Sequence, residues 1–237
     1  MTFLRRILFC ALIAVPLLPA ADQLTGFPFQ NETLRYRVIW PGGKSLGEVT
    51  MGARQTADGG WDFDMSTTVA IPIVPIADKY KASAATFDLC SVTLTREISH
   101  GNKKVIERTE FNQKTNRANR QTMFPLGGGK TDLALPTCGR DALTYEYFAR
   151  REMGQGRIPP AGKVFFGSPY DVKTQYTGAM DIPVNGKPKT TDKLDVSVKG
   201  PASEFTFEVY YDRDAARTPL LIKIPVAIGT VSLELVR

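Results

Sequence analysis

Period-two alternation of apolar and polar residues, glycine-rich turns between the alternating runs, and one short helical stretch predict a mainly β protein. The expected form is an antiparallel, strongly curved sheet or a partly open barrel, made of two β-meanders with one short α-helix. A chain of 237 residues is long enough to bury a substantial core in this way.

The first segment stands apart from that fold. Arg5 and Arg6 make a basic start, Ile7 to Leu18 run almost entirely apolar, and Ala20 and Ala21 follow. This is the layout of a secretory signal peptide over residues 1–21, with cleavage after Ala20 or Ala21. The apolar stretch falls short of the roughly 20 residues a spanning helix needs, and Pro16 and Pro19 interrupt its end. Cys10 lies inside the run rather than at its end, which reads as a leader residue and not a lipidation site. Residues 22–237 then form a single β-rich domain with no further transmembrane segment. The most apolar later stretch, Val69 to Ala77, is too short to span and carries two prolines.

Within that domain, Leu34, Tyr36, Val38 and Trp40 alternate with Arg35, Arg37 and Ile39. Trp61, Phe63, Met65 and Thr67 alternate with Asp62, Asp64 and Ser66. The same period recurs over Leu194 to Val198, Phe205 to Tyr211 and Val231 to Leu235. Each run gives a strand one core face and one solvent face. Pro41-Gly42-Gly43, Asp58-Gly59-Gly60, His100-Gly101-Asn102 and Asn185-Gly186 supply hairpin turns between strands. Residues 125–136 read as a glycine-rich loop. Asp141 to Glu152 has no glycine or proline, a capping aspartate at its start and Arg150 and Arg151 near its end, which predicts a helix of about three turns, closed by Gly154 and Gly156. On it Ala142, Tyr145 and Ala149 share one face, and Leu143, Tyr147 and Arg150 another. Ile158-Pro159-Pro160 then leads into Lys163 to Phe166 and the second meander.

Composition excludes several functions. The net charge of +6 falls to +4 without Arg5 and Arg6, which is no nucleic-acid signature. Histidine occurs once, at His100, and no C-x-x-C spacing is present, so no metal and no cofactor is expected. Cys90 and Cys138 remain after leader removal, and in an oxidising compartment they read as one disulfide; two buried thiols are the other reading. Gly127 to Thr131 lacks the earlier glycine of a phosphate loop, where Phe124 stands. His100 precedes a turn, and no G-x-S-x-G surrounds any serine. Asp62 and Asp64 share a strand face about 7 Å apart, a spacing that serves acid–base chemistry or simply faces water. Lys103, Lys104, Arg108, Lys114, Arg117 and Arg120 form the most basic region, poor in stacking aromatics. The Val69 to Ala77 run and Phe165-Phe166 are candidates for a pocket wall or for core. No catalytic residue is assigned.

The segment LRYRVIWPGGKSLGEVTM, with Tyr36, Trp40 and Gly47, resembles the opening of the exported bacterial domain of unknown function 3108. The helix with Asp141, Leu143, Thr144, Tyr147 and Arg150 is similar to that family's central signature, which commonly has serine where Thr144 stands. The ending TPLLIKIPVAIGTVSLEL, with Pro219 and Gly229, is similar to its closing strands. The resemblance implies a β-rich envelope protein and no activity.

The expectation is therefore an exported periplasmic or envelope protein that binds a lipid-like or amphipathic ligand, or an envelope partner, without catalysis. A carboxylate-dependent hydrolase or carbohydrate-active enzyme using Asp62 and Asp64 is the alternative. A structural or assembly protein of the envelope is a third. Oligomeric state is left open.

Overall fold

The computed structural model describes residues 31–70, 74–85, 88–227 and 229–236. The expected leader, with Cys10, lies outside the described residues. The first meander comprises β1 (Glu32–Ile39), β2 (Ser45–Gln55), β3 (Trp61–Ala70), β4 (Pro75–Ala84), β5 (Ser91–His100), β6 (Lys103–Asn112), β7 (Arg117–Phe124) and β8 (Lys130–Ala134). A short β9 (Arg140–Asp141) leads into α1 (Ala142–Gly154). The second meander comprises β10 (Gly162–Phe165), β11 (Pro169–Val184), β12 (Lys187–Lys199), β13 (Glu204–Asp212), β14 (Pro219–Val226) and β15 (Gly229–Leu235).

All these strands form one sheet in the order β8-β7-β6-β5-β4-β3-β2-β1-β15-β14-β13-β12-β11-β10-β9. Sequence neighbours pair throughout each meander, and the two meanders join where β1 pairs with β15, Tyr36 opposite Leu235. The sheet is mainly antiparallel and does not close on itself. It rolls so that the β9 edge meets β5 instead of the opposite edge, β8: the Ser91 amide donates to the Gly139 carbonyl at 3.1 Å. Gln113 stitches the same meeting, its Nε2 donating to the carbonyls of Ser91 and Gly139 at 2.7 and 2.9 Å.

The alternating faces do what their pattern requires. Tyr36, Trp61 and Phe63 are buried in a core that α1 enters, with the Phe63 and Tyr147 rings stacked at 4.3 Å. A second core forms from Val172, Leu194, Val196, Val209 and Tyr211. Asn185 and Gly186 both take positive φ, 50° and 75°, as a tight two-residue hairpin demands.

Two features depart from the sequence reading. The expected loop over residues 125–136 contains β8, which pairs with β7. Its five residues are mostly exposed, so no apolar alternation marks it. β9 and β10 pair in parallel because α1 carries the chain back between them. The helix closes at the expected glycines: it runs through Gly154 and ends where Gly156, at φ +74°, donates to the Met153 carbonyl at 2.9 Å.

Candidate functional site

Helix α1 and the second meander line an open-mouthed cavity of about 280 Å³. Ala142, Tyr145, Glu146 and Ala149 supply the helical wall. Three of these form the face that helical spacing groups, and the two alanines are too small to fill the space beneath them. Leu194, Val196 and Val198 of β12, with Phe205, Phe207 and Tyr211 of β13, supply the floor by strand alternation. Ser203 and Phe205, both exposed, stand at its mouth.

One carboxyl lies in this apolar wall. Both oxygens of Glu146 are 3.2 Å from the Tyr211 hydroxyl, which donates to them. Burial pushes the Glu146 carboxyl above its ordinary 4.5, while Arg150 and the Tyr211 hydrogen bond pull it back. Burial and the neighbouring Glu146 keep the Tyr211 hydroxyl well above its usual range, so it stays a donor. Behind Glu146, the fully buried Arg150 makes a bidentate pair with Glu32 at 2.7 and 2.8 Å and donates through Nε to the Ala216 carbonyl at 3.0 Å. The guanidinium is thus held by β1 and by the segment before β14. Glu146 keeps acceptor capacity toward the cavity. It can take a hydrogen bond from a hydroxyl or pair with an amine. The lining includes no histidine, cysteine or lysine.

The helix start is equally well built. Asp141 Oδ1 accepts from the amides of Leu143 and Thr144 at 2.9 and 3.1 Å, and Oδ2 from the hydroxyls of Ser91 and Thr144 at 2.5 and 2.7 Å. Thr144 is therefore a capping partner, and its hydroxyl is engaged with Asp141. Cys90 and Cys138, each just before a strand of this junction, lie at disulfide distance with Cα atoms 4.8 Å apart. They clamp β5 to the β9 edge where α1 begins.

The other candidates scatter. Asp62 is half-buried on the outer face, paired with Arg54 at 3.4 Å, and Asp64 is exposed, so they form no cleft. His100 ends β5 and shares Asp78 with Tyr80 and the Ser99 amide, each contact 3.0 Å. Arg108 pairs with Glu110 at 3.1 Å, and Arg120 donates to the Gly167 carbonyl. Gly127 to Thr131 form a hairpin turn and the start of β8. Phe165 and Phe166 divide: Phe165 packs in the first core against Phe111, and Phe166 lines the cavity beneath Arg96. Of Val69 to Ala77, the described residues belong to β3, β4 and the link before β4. No group of three or more acidic, histidine or cysteine residues capable of holding a metal occurs among the described residues. Among them no helix is long and apolar enough to cross a membrane.

Glu146, Tyr211 and Glu32 are the residues sequence reasoning misses. The helix spacing of Glu146 and Arg150 was visible, but nothing local shows that both turn inward.

A mainly β roll, with an opening hairpin that carries Tyr36 on β1 and Gly47 on β2 and a capped helix that carries Arg150, defines a class. The chain belongs to the family of proteins of unknown function DUF3108, whose model matches residues 35–236. Its fold is similar to the crystal structure of a β-barrel-like protein of the domain of unknown function DUF1849 from Brucella abortus. That likeness has a TM-score of 0.61 and 8% identity, and covers 86% of this chain and 95% of the other. No curated protein sequence matches the chain.

Proposed function

We propose that this protein is an exported, non-enzymatic binding module of the periplasm or cell envelope, and that it holds an amphipathic molecule between α1 and the second meander. The cavity carries this reading: its walls are apolar, and one carboxyl, Glu146, is placed to take a ligand's polar group. Its volume of about 280 Å³ lies at the small end for ligand sites, suiting a short apolar body or the end of a longer chain. Because Glu146 accepts and does not donate when ionised, the favoured ligands carry a hydroxyl or amine and not an acid. Export is supported by the signal-like layout of residues 1–21 and by the clamp between Cys90 and Cys138.

The test is native mass spectrometry of protein purified from the periplasm, with organic extraction of any bound molecule. It is paired with titration by N-phenyl-1-naphthylamine, an apolar fluorescent probe. Native protein is expected to carry a ligand or take up the probe. Ala149→Phe, which projects a ring into the cavity, is expected to lose at least about 1.4 kcal/mol of probe affinity, a tenfold change. A native chain that carries nothing and takes up no probe would overturn the proposal. Undiminished probe binding in a folded Ala149→Phe variant would do the same.

A further inference from the structure

We infer that one rim of the rolled sheet docks on an anionic phospholipid bilayer. The rim is a succession of hairpin ends. The β14–β15 turn meets the β1–β2 turn, since a Cβ on Gly229 would fall 2.9 Å from the Cβ of Pro41. Gly47 of β2 pairs with Val69, and Val69 with Ile76, which brings the end of β3 and the start of β4 alongside. The Gly101 amide donates to the Pro75 carbonyl at 2.9 Å, adding the β5–β6 turn. Phe124 sits opposite Ile106, so the β7–β8 turn completes the series.

Apolar side chains stand out from these ends. Leu126 is 91% exposed, and Met123, Phe124, Val74 and Val226 are exposed as well. Leu126 has three glycines behind it, and its exposure is that of a side chain with almost no protein contact. Between these residues lie Lys44, Lys103, Lys104 and Lys130, all exposed and none in a salt bridge among the described residues. Residues 40–44, 100–105 and 123–131 contain no aspartate or glutamate. Asp78, which reaches this end through His100, is occupied by Tyr80 and Ser99.

Protruding apolar tips interspersed with unpaired lysines match the chemistry of a bilayer surface. The tips enter the acyl boundary and the lysines meet anionic headgroups. A protein partner of ordinary affinity wants a continuous packed patch instead, and the separate tips of this rim do not provide one. The inference does not depend on what the cavity holds, though a module that carries amphipathic molecules gains a source or destination for them.

Flotation with vesicles tests it, using protein purified from the cells that make it, with the N-terminus of every variant verified as identical. Any contribution of residues 1–30 is then common to all samples. Native protein is expected to bind vesicles of phosphatidylcholine with about 30% phosphatidylglycerol at least about tenfold better than phosphatidylcholine alone, and to be released by high salt. Phe124→Ser with Leu126→Ser is expected to weaken binding about tenfold. Lys103→Glu with Lys104→Glu should remove the preference for anionic vesicles. Lys114→Glu with Arg117→Glu changes the charge equally at the opposite end of β6 and β7, and should leave most binding intact. Thermal melting verifies that each variant is folded. Absence of native binding, or equal losses for the two charge-reversed variants, would overturn the rim as the docking surface.

Discussion

Burying a guanidinium costs several kcal/mol unless its charge and its donors are met. Arg150 satisfies that condition through Glu32 and the Ala216 carbonyl. Arg150→Ala leaves the Glu32 carboxylate, 13% exposed, facing its vacated partner. The expected loss is about 3–5 kcal/mol, read as a lower urea midpoint, with partial recovery when Glu32→Gln is added. Glu146 behaves differently because Arg150 is already paired without it. Its folded pKa stands above 4.5, so the native state binds that proton more tightly than the unfolded chain does. The corresponding stability is present below 4.5 and is lost as pH rises from there through the folded value. Glu146→Gln removes this titration. The melting temperature of the variant relative to the native protein should therefore climb as pH rises above 4.5 through the folded value. A constant offset across that window would show that Glu146 does not titrate upward in the fold.

Two elements owe their geometry to single residues. Asp141 joins the α1 amides to Ser91 of β5, so Asp141→Ala removes a helix cap and a tie between distant strands together. A loss of about 2 kcal/mol, the upper range for a cap, is expected in chemical denaturation. Gly47 holds the β2–β3 pair close: at its φ of +156°, a Cβ would fall 2.0 Å from the Thr68 carbonyl oxygen. Gly47→Ala should cost about 1–3 kcal/mol, with the shifts in an amide spectrum centred on Gly47 and Val69. The helix cap was legible because an aspartate before an uninterrupted amphipathic run is a local signal. The strands of Tyr36, Phe63, Val196 and Val209 were legible for the same reason, since alternation needs only neighbours in sequence. β8 was not, because a five-residue edge strand with one apolar residue turned to the core, Leu133, has no apolar period to show. Nor was the inward turn of Glu146, which depends on the second meander rolling beneath α1.

At the scale of the whole molecule, the middle of the sheet is built from its first and last strands in sequence. β1 and β15 pair in the middle of the sheet order, while β8 and β9 hold its edges. Such long-range pairing forms late and opens only with the global fold, whereas edges open locally. Hydrogen exchange should therefore be slowest in β1, β2 and β15 and fastest, among strands, in β8. The roll adds a second, separable restraint. Its β9 edge is held against β5 by Ser91, Gln113 and the Cys90–Cys138 pair, and not by any pairing with β8. That pair closes a loop of 48 residues, for which about 2–4 kcal/mol of stabilisation is typical of a disulfide. Reduction should raise exchange first at residues 88–91, at 138–141 and in the first turn of α1, since the hydrogen bonds from the Ser91 amide to Gly139 and from the Ser91 hydroxyl to Asp141 cross the clamp. The β1–β15 pairing, on the far side of the first core, should keep its protection until global unfolding. If reduction instead accelerated exchange uniformly through β1 and β15, the clamp and the central pairing would be one cooperative unit, and the roll could not open without unfolding the sheet.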